Sequence, residues 1–199
     1  MVFTLVLLLG IIKGEHNSDD GELWDLFLAG NRDAIAELFS RFYSDLYLYG
    51  LKINHNADAV NDGIQELFLR LWNKREFLDH ANSVKKYLIV SLRRIIVNQI
   101  KTYDAREKRE NEYVSLSTQN ANNIEDKIIE SEIDQERKRL LREAVATLTE
   151  RQKEILFLKY FEGFENREIS EIMDISYQRV RNLLHETIEK IRTYRLDSE

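Results

Sequence analysis

The sequence predicts an all-α protein built as two helical domains joined by a flexible linker. Three observations predict it. With no proline and only seven glycines in 199 residues, few positions force a helix to break. Apolar residues recur at three- and four-residue intervals along most of the chain, the spacing of one helix face. That periodicity fades once in the interior, over residues 107–134, which include the polar tract Ser115 to Asn123. No β-branched alternation of useful length, bounded by Gly or Pro, argues for a sheet.

The elements follow in order. The opening stretch, MVFTLVLLLGIIKG, is an apolar run of about a dozen residues, short of the roughly 20 that span a bilayer. It carries neither the basic start nor the small-residue cleavage site of a secretory signal. Residues 1–19 are therefore read as an apolar extension, buried or unstructured, or as a start placed too far upstream. Asp19 or Asp20 is placed to cap a short helix carrying Leu23, Trp24, Phe27 and Leu28. Asn31 is placed to cap a second, with Ile35, Leu38, Phe39, Phe42, Leu46 and Tyr49 in register. Asn54 and Asn56 interrupt it, and a third helix carries Val60, Ile64, Leu67, Phe68, Leu71 and Trp72. The polar segment 73–82 reads as a loop. Ser83 opens a long helix with Val84, Leu88, Leu92, Ile95 and Ile96 on one face. These stripes bury one another as a first domain over 20–106.

The second domain spans 135–199. Leu140, Leu141, Ala144, Val145 and Leu148 form its first stripe, and Thr149 to Gln152 spell a capping box. The helix that follows carries Ile155, Leu156, Leu158 and Tyr160 and stops near Gly163.

Composition excludes several chemistries. No cysteine means no disulfide or thiolate metal site, which fits a reducing cytosol. The four histidines are scattered, never at i, i+4, so no metal site is expected. There is no Gly-rich phosphate loop and no nucleophile beside a base, so neither an enzyme, a cofactor nor a small-molecule substrate is expected. The net charge of −6 excludes a general nucleic-acid coat, but its distribution is uneven. Eight basic residues fall between Lys85 and Glu110 (Lys85, Lys86, Arg93, Arg94, Lys101, Arg106, Lys108, Arg109), whereas the next stretch to Glu136 is acidic. On a helix Lys86, Arg93, Arg94 and Lys101 share about a third of the circumference, opposite the apolar stripe, as a polyanion-binding face would require.

Residues 165–186 have the build of a helix-turn-helix. A short helix buries Ile169, Ile172 and Met173; Asp174-Ile175-Ser176 make a tight turn; Ser176 caps a second helix that buries Val180, Leu183 and Leu184. Small Ser170 stands where the two helices approach. The outward residues Gln178, Arg179, Arg181 and Asn182 are types that hydrogen-bond base edges and phosphates in a major groove. The plainer reading is a helical hairpin with a solvated polar face; turn, small residue and polar face agree on the former.

Residues 148–185, LTERQKEILFLKYFEGFENREISEIMDISYQRVRNLLH, resemble region 4 of extracytoplasmic-function (ECF) sigma factors of the sigma-70 family. DGIQELFLRLW (62–72) resembles the region 2 helix that docks on the β′ clamp helices, and SVKKYLIVSLRRIIVNQIK (83–101) the helix that recognises the −10 element. The resemblance covers about 20–194, and no segment resembles the family's regions 1.1 and 3. It implies a subunit that binds core RNA polymerase at the β′ clamp helices and β flap and directs promoter-specific initiation through the −10 and −35 elements. It further implies an anti-sigma factor as partner and a cytoplasmic location.

Residue by residue, the resemblance implies −35 contacts from Tyr177, Gln178, Arg179, Arg181 and Asn182. It implies −10 contacts from Lys85, Lys86, Arg93, Arg94, Asn98, Lys101 and Asn82, and core docking by Asp62, Gln65, Glu66, Phe68 and Arg70. Phe77, Asp79, His80 and Asn82 are all candidates to capture an unstacked −10 base, and the choice stays open. Tyr87 lies on the apolar side and is expected to pack. Leu183 and Glu186 stand where many relatives carry basic residues, which shifts phosphate contacts toward Arg179, Arg181 and Arg192. The alternative is a stand-alone helix-turn-helix regulator whose first domain senses a ligand or dimerises.

Overall fold

A computed structural model describes residues 19–111, 139 and 141–196, with side chains described for 20–103, 139 and 141–194. Every regular element among the described residues is helical. The apolar extension before Asp19 and most of the expected linker lie outside them. The chain divides into two compact units, one within residues 15–122 and one that includes 123–199.

In the first unit, α1 (Asp19–Leu28), α2 (Arg32–Ile53), α3 (Ala57–Lys74) and α4 (Val84–Asn111) pack as a bundle. Asparagines set the starts. Asn31 Oδ1 accepts from the backbone N–H groups of Asp33 and Ala34, and Asn56 Oδ1 from that of Ala59, as expected of N-caps. Asp20 is used differently: it lies inside α1 and pairs with Arg41 of α2 at 2.7 Å. Trp24, Phe42, Tyr49, Ile64, Leu92 and Ile96 are among the fully buried side chains at the centre. Gly50 lets the helices close up, since a Cβ there would come within 2.5 Å of Val60 Cγ1 and 3.3 Å of Ile96 Cδ1.

Two boundaries differ from the sequence expectation. Asn73 and Lys74 continue α3, and Arg75–Phe77 form a 3₁₀ turn, so the true loop is 78–83. Arg75 steadies this end by donating to Trp72 O at 2.9 Å, with its guanidinium 4.7 Å from the Trp72 ring. At the other end α4 is helical through Asn111, so the first residues of the segment 107–134 extend the helix.

In the second unit, residues 141–146 are helical and are followed by α5 (Glu150–Leu156), α6 (Asn166–Met173) and α7 (Tyr177–Leu196). The capping box forms as spelled: Thr149 Oγ1 accepts from Gln152 N–H at 3.3 Å and Gln152 Oε1 from Thr149 N–H at 3.0 Å. Beyond Leu156 the backbone widens into a π turn over Phe157–Phe161, which stacks the Phe157 and Phe161 rings 4.4 Å apart. Burial raises the Tyr160 phenol above its ordinary value. Gly163, at φ +77°, ends the element.

Candidate nucleic-acid interface

The turn between α6 and α7 carries the geometry of the second unit. Asp174 adopts the left-handed conformation (φ 53°, ψ 51°), the only non-glycine among the described residues with positive φ. Its N–H and that of Ile175 both donate to Ser170 O, a helix-ending arrangement in which glycine is usual and Asp is tolerated. Ser176 Oγ then accepts from Arg179 N–H at 3.2 Å and starts α7. Ile169, Ile172, Met173, Val180 and Leu183 are buried between the two helices; Ile175 and Leu184 are half-buried.

The exposed face of α7 is arranged more finely than the sequence showed. At about 100° per residue, Gln178, Asn182 and His185 run down its middle, diametrically opposite the buried stripe. Arg181 and Arg192 lie on one flank with Tyr177 beyond them, and Arg179 and Glu186 on the other, so the two arginines expected to act together stand about 160° apart. Gln178 Nε2 donates to Asn182 Oδ1 at 2.9 Å, and Arg179 Nη1 pairs with Glu186 Oε1 at 3.2 Å. Leu183 is 5% exposed, so its apolar side chain fills the core. His185 shares this exposed row at i+3 from Asn182 and i+7 from Gln178, a spacing that a lone histidine does not announce by itself.

On α4, Lys86 and Arg93 are half-buried and Arg94, Asn98 and Lys101 exposed, while Val84, Leu88, Ile89, Leu92, Ile95 and Ile96 are buried on the other side. Lys85 does not join that basic stripe. It falls in the middle of the buried face, where its Nζ lies 3.4 Å from Oδ2 of Asp45, a carboxylate of α2 that is itself buried. Tyr87 packs at 5.1 Å from the Trp24 ring.

The loop candidates are separated by geometry. Phe77 is 85% exposed and projects from the 3₁₀ turn. Asp79 offers its carbonyl to Trp24 Nε1 at 3.1 Å, and His80 Nδ1 lies 2.8 Å from Asp25 Oδ1, so both tie the loop to α1. Asn82 is exposed just before α4.

On α3, Asp62, Gln65 and Arg70 are exposed, and Glu66 pairs with Arg70 while accepting from Gln99 Nε2 at 3.5 Å. Phe68 lies on the other side, buried with its ring 5.0 Å from that of Phe39. Leu69, passed over in the sequence because it falls outside the core register, is 65% exposed between Gln65 and Arg70. Among the described residues, no group of three or more His, Cys, Asp or Glu could hold a metal, and no helix is long and apolar enough to cross a membrane.

Comparison with known proteins fits this arrangement. The family model for sigma-70 region 2 matches residues 38–106 and that for sigma-70 region 4 matches residues 138–191. Curated relatives include the ECF RNA polymerase sigma factor SigK of Mycobacterium ulcerans (strain Agy99), 21% identical over 164 residues, 82% of this chain and 86% of the relative. That of Mycobacterium sp. (strain JLS) is 22% identical over 162 residues, 80% of this chain and 82% of the relative. Among solved structures, the sigma factor RpoE from Bartonella quintana, in its complex with the anti-sigma factor NepR, has a TM-score of 0.61 at 12% identity, covering 80% of this chain and 94% of that one. CnrH in complex with the cytosolic domain of CnrY has a TM-score of 0.58 at 15% identity, covering 92% and 99%. A region 2 match ahead of the region 4 match does not favour a stand-alone regulator. With both regions present in order and ECF proteins among the relatives, the chain belongs to the sigma-70 family as an ECF sigma factor, a subunit that binds core RNA polymerase and directs promoter-specific initiation of transcription.

Proposed function

We propose that the two units act as two promoter grips without catalysis of their own: residues 20–106 on the −10 element and 135–199 on the −35 element. The segment 107–134 is the tether, its first residues continuing α4. The observation that carries this reading is the exposed face of α7, with amide side chains in the middle and an arginine on each flank, mounted on a turn fixed by Asp174. In a major groove, Gln178 and Asn182 would read base edges, with Arg181 and Tyr177 on the phosphates of one flank and Arg179 on the other flank.

At the −10 element, Lys86, Arg93, Arg94 and Lys101 follow the DNA backbone, with Asn98 and Asn82 beside them. Phe77, the most exposed candidate, offers the stacking surface for an unpaired base. Lys85 serves the fold through Asp45. Asp62, Gln65, Glu66, Leu69 and Arg70 dock on the β′ clamp helices, Phe68 supports them from the core, and the second unit meets the β flap. The cytoplasm is where such a protein meets polymerase. The RpoE structure contains the anti-sigma factor NepR, and a partner of that kind, covering the polymerase-binding faces, is proposed here.

Run-off transcription with purified core enzyme tests the reading, together with a gel shift on promoter DNA with and without core. Promoter-dependent transcripts, and a shift that requires core enzyme, are expected. A dimer that shifts DNA alone and never binds core would overturn it.

A further inference from the structure

We infer that Glu186 is a specificity-determining residue that acts through Arg179, limiting that arginine's use on DNA of the wrong sequence. The inference rests on the reading of α7 as the recognition helix. The two side chains stand seven residues apart, two turns of the same face, with Arg179 Nη1 3.2 Å from Glu186 Oε1. Both are half-exposed, 51% and 50%, so the pair sits on the surface that meets DNA. Arg181, on the opposite flank, makes no such pair among the described residues.

The chemistry of exchange gives the pair its effect. Moving Arg179 from Glu186 to a phosphate trades one singly charged oxygen acceptor for another. It also leaves the Glu186 carboxylate facing a polyanion. A sequence-independent contact therefore gains little. A guanine edge differs: O6 and N7 take two guanidinium donors at once and carry no formal charge against the carboxylate. Glu186 can remain beside Arg179 in that arrangement and orient it. The amide pair of Gln178 and Asn182 between the flanks leaves each group at least one further donor and acceptor for base edges, so the middle of the face is already set for sequence readout.

Holoenzyme made from the full chain and core RNA polymerase is used to select sequences from a pool of randomised duplexes. Glu186→Gln, Arg179→Ala and the double variant are then compared with the unchanged protein on a selected and an unselected duplex across a salt series. Circular dichroism checks each fold. Glu186→Gln is expected to raise affinity for the unselected duplex about two- to fivefold, the range of a released surface pair, and to steepen the salt dependence by about one counterion. The gain on the selected duplex is expected to be smaller, so discrimination falls. In the Arg179→Ala background, Glu186→Gln is expected to change nothing. An equal gain on both duplexes, a gain that survives without Arg179, or no gain at all would overturn the inference. Failure of the unchanged holoenzyme to select any sequence would instead overturn the reading of α7 as the recognition helix.

Discussion

Replacing Lys85 by methionine separates packing from DNA contact at the start of α4. Asp45 is 2% exposed, and Lys85, whose side chain is 18% exposed, brings its ammonium to 3.4 Å from the carboxylate. Methionine keeps most of the stem and removes the charge, leaving Asp45 buried without that cation. Removing one member of a buried pair costs about 3–5 kcal/mol, and the partial exposure of Lys85 places this case near 3. For a unit of this size that lowers the melting temperature by roughly 12–24 °C. Urea and thermal unfolding, followed through Trp24 and Trp72 fluorescence because both tryptophans lie in this unit, read the loss. Adding Asp45→Asn removes the buried charge and is expected to recover at least half of it, with promoter-dependent transcription restored. A cost below about 1 kcal/mol would refute the reasoning. So would a double variant that folds stably yet no longer binds −10 DNA, which would return Lys85 to the DNA contacts.

Four further outcomes are expected. Asn182→Ala relaxes base preference by about 1–3 kcal/mol at one promoter position, whereas flanking Arg181→Ala weakens binding uniformly and reduces the salt slope by about one, both read by binding across salt on selected and unselected duplexes. Asp174→Val puts a β-branched residue at positive φ and destabilises the second unit by about 1–2 kcal/mol in thermal unfolding. Gly50→Ala drives a methyl into Val60 and costs about 1–3 kcal/mol, measured by urea unfolding of the first unit. Leu69→Ser leaves stability within about 0.5 kcal/mol but weakens binding to core polymerase in a competition assay.

What could be read beforehand was local. Asn31 and the Thr149–Gln152 box announce helix starts because a cap is written within four residues, whereas Asn56, read only as an interruption, proves to cap α3. The recognition turn was legible for the same reason, since Asp174, Ile175 and Ser176 act on their neighbours. Pairings across the bundle were hidden. Nothing near Lys85 in sequence points to Asp45, forty residues earlier, and Lys85 stood in the basic run and among the expected −10 contacts although its helical phase lies off the basic stripe. His80 and Asp25 are likewise fifty-five residues apart. Arg179 and Arg181, two residues apart in sequence, stand on opposite flanks because adjacency in sequence hides angular separation on a helix. Phe68 and Leu69 show the converse: neighbours, one buried and one outside, distinguished by 100° of rotation.

The hydrogen bond from Trp24 to the carbonyl of Asp79 makes α1 the hinge-pin of a loop that begins fifty residues later. Trimming the chain up to Asp19 removes none of that attachment. Cutting into α1 discards the Asp20–Arg41 pair, the Trp24 bond and the Asp25–His80 contact together. A shortened protein beginning at Asn31 would keep the clamp-facing helix α3 and the basic face of α4 in its sequence, yet hold Phe77 and Asn82 on an untethered strap. Engagement with polymerase and opening of the promoter would then come apart: such a fragment could occupy the enzyme while failing to start transcription, and so act as a competitor of the intact factor.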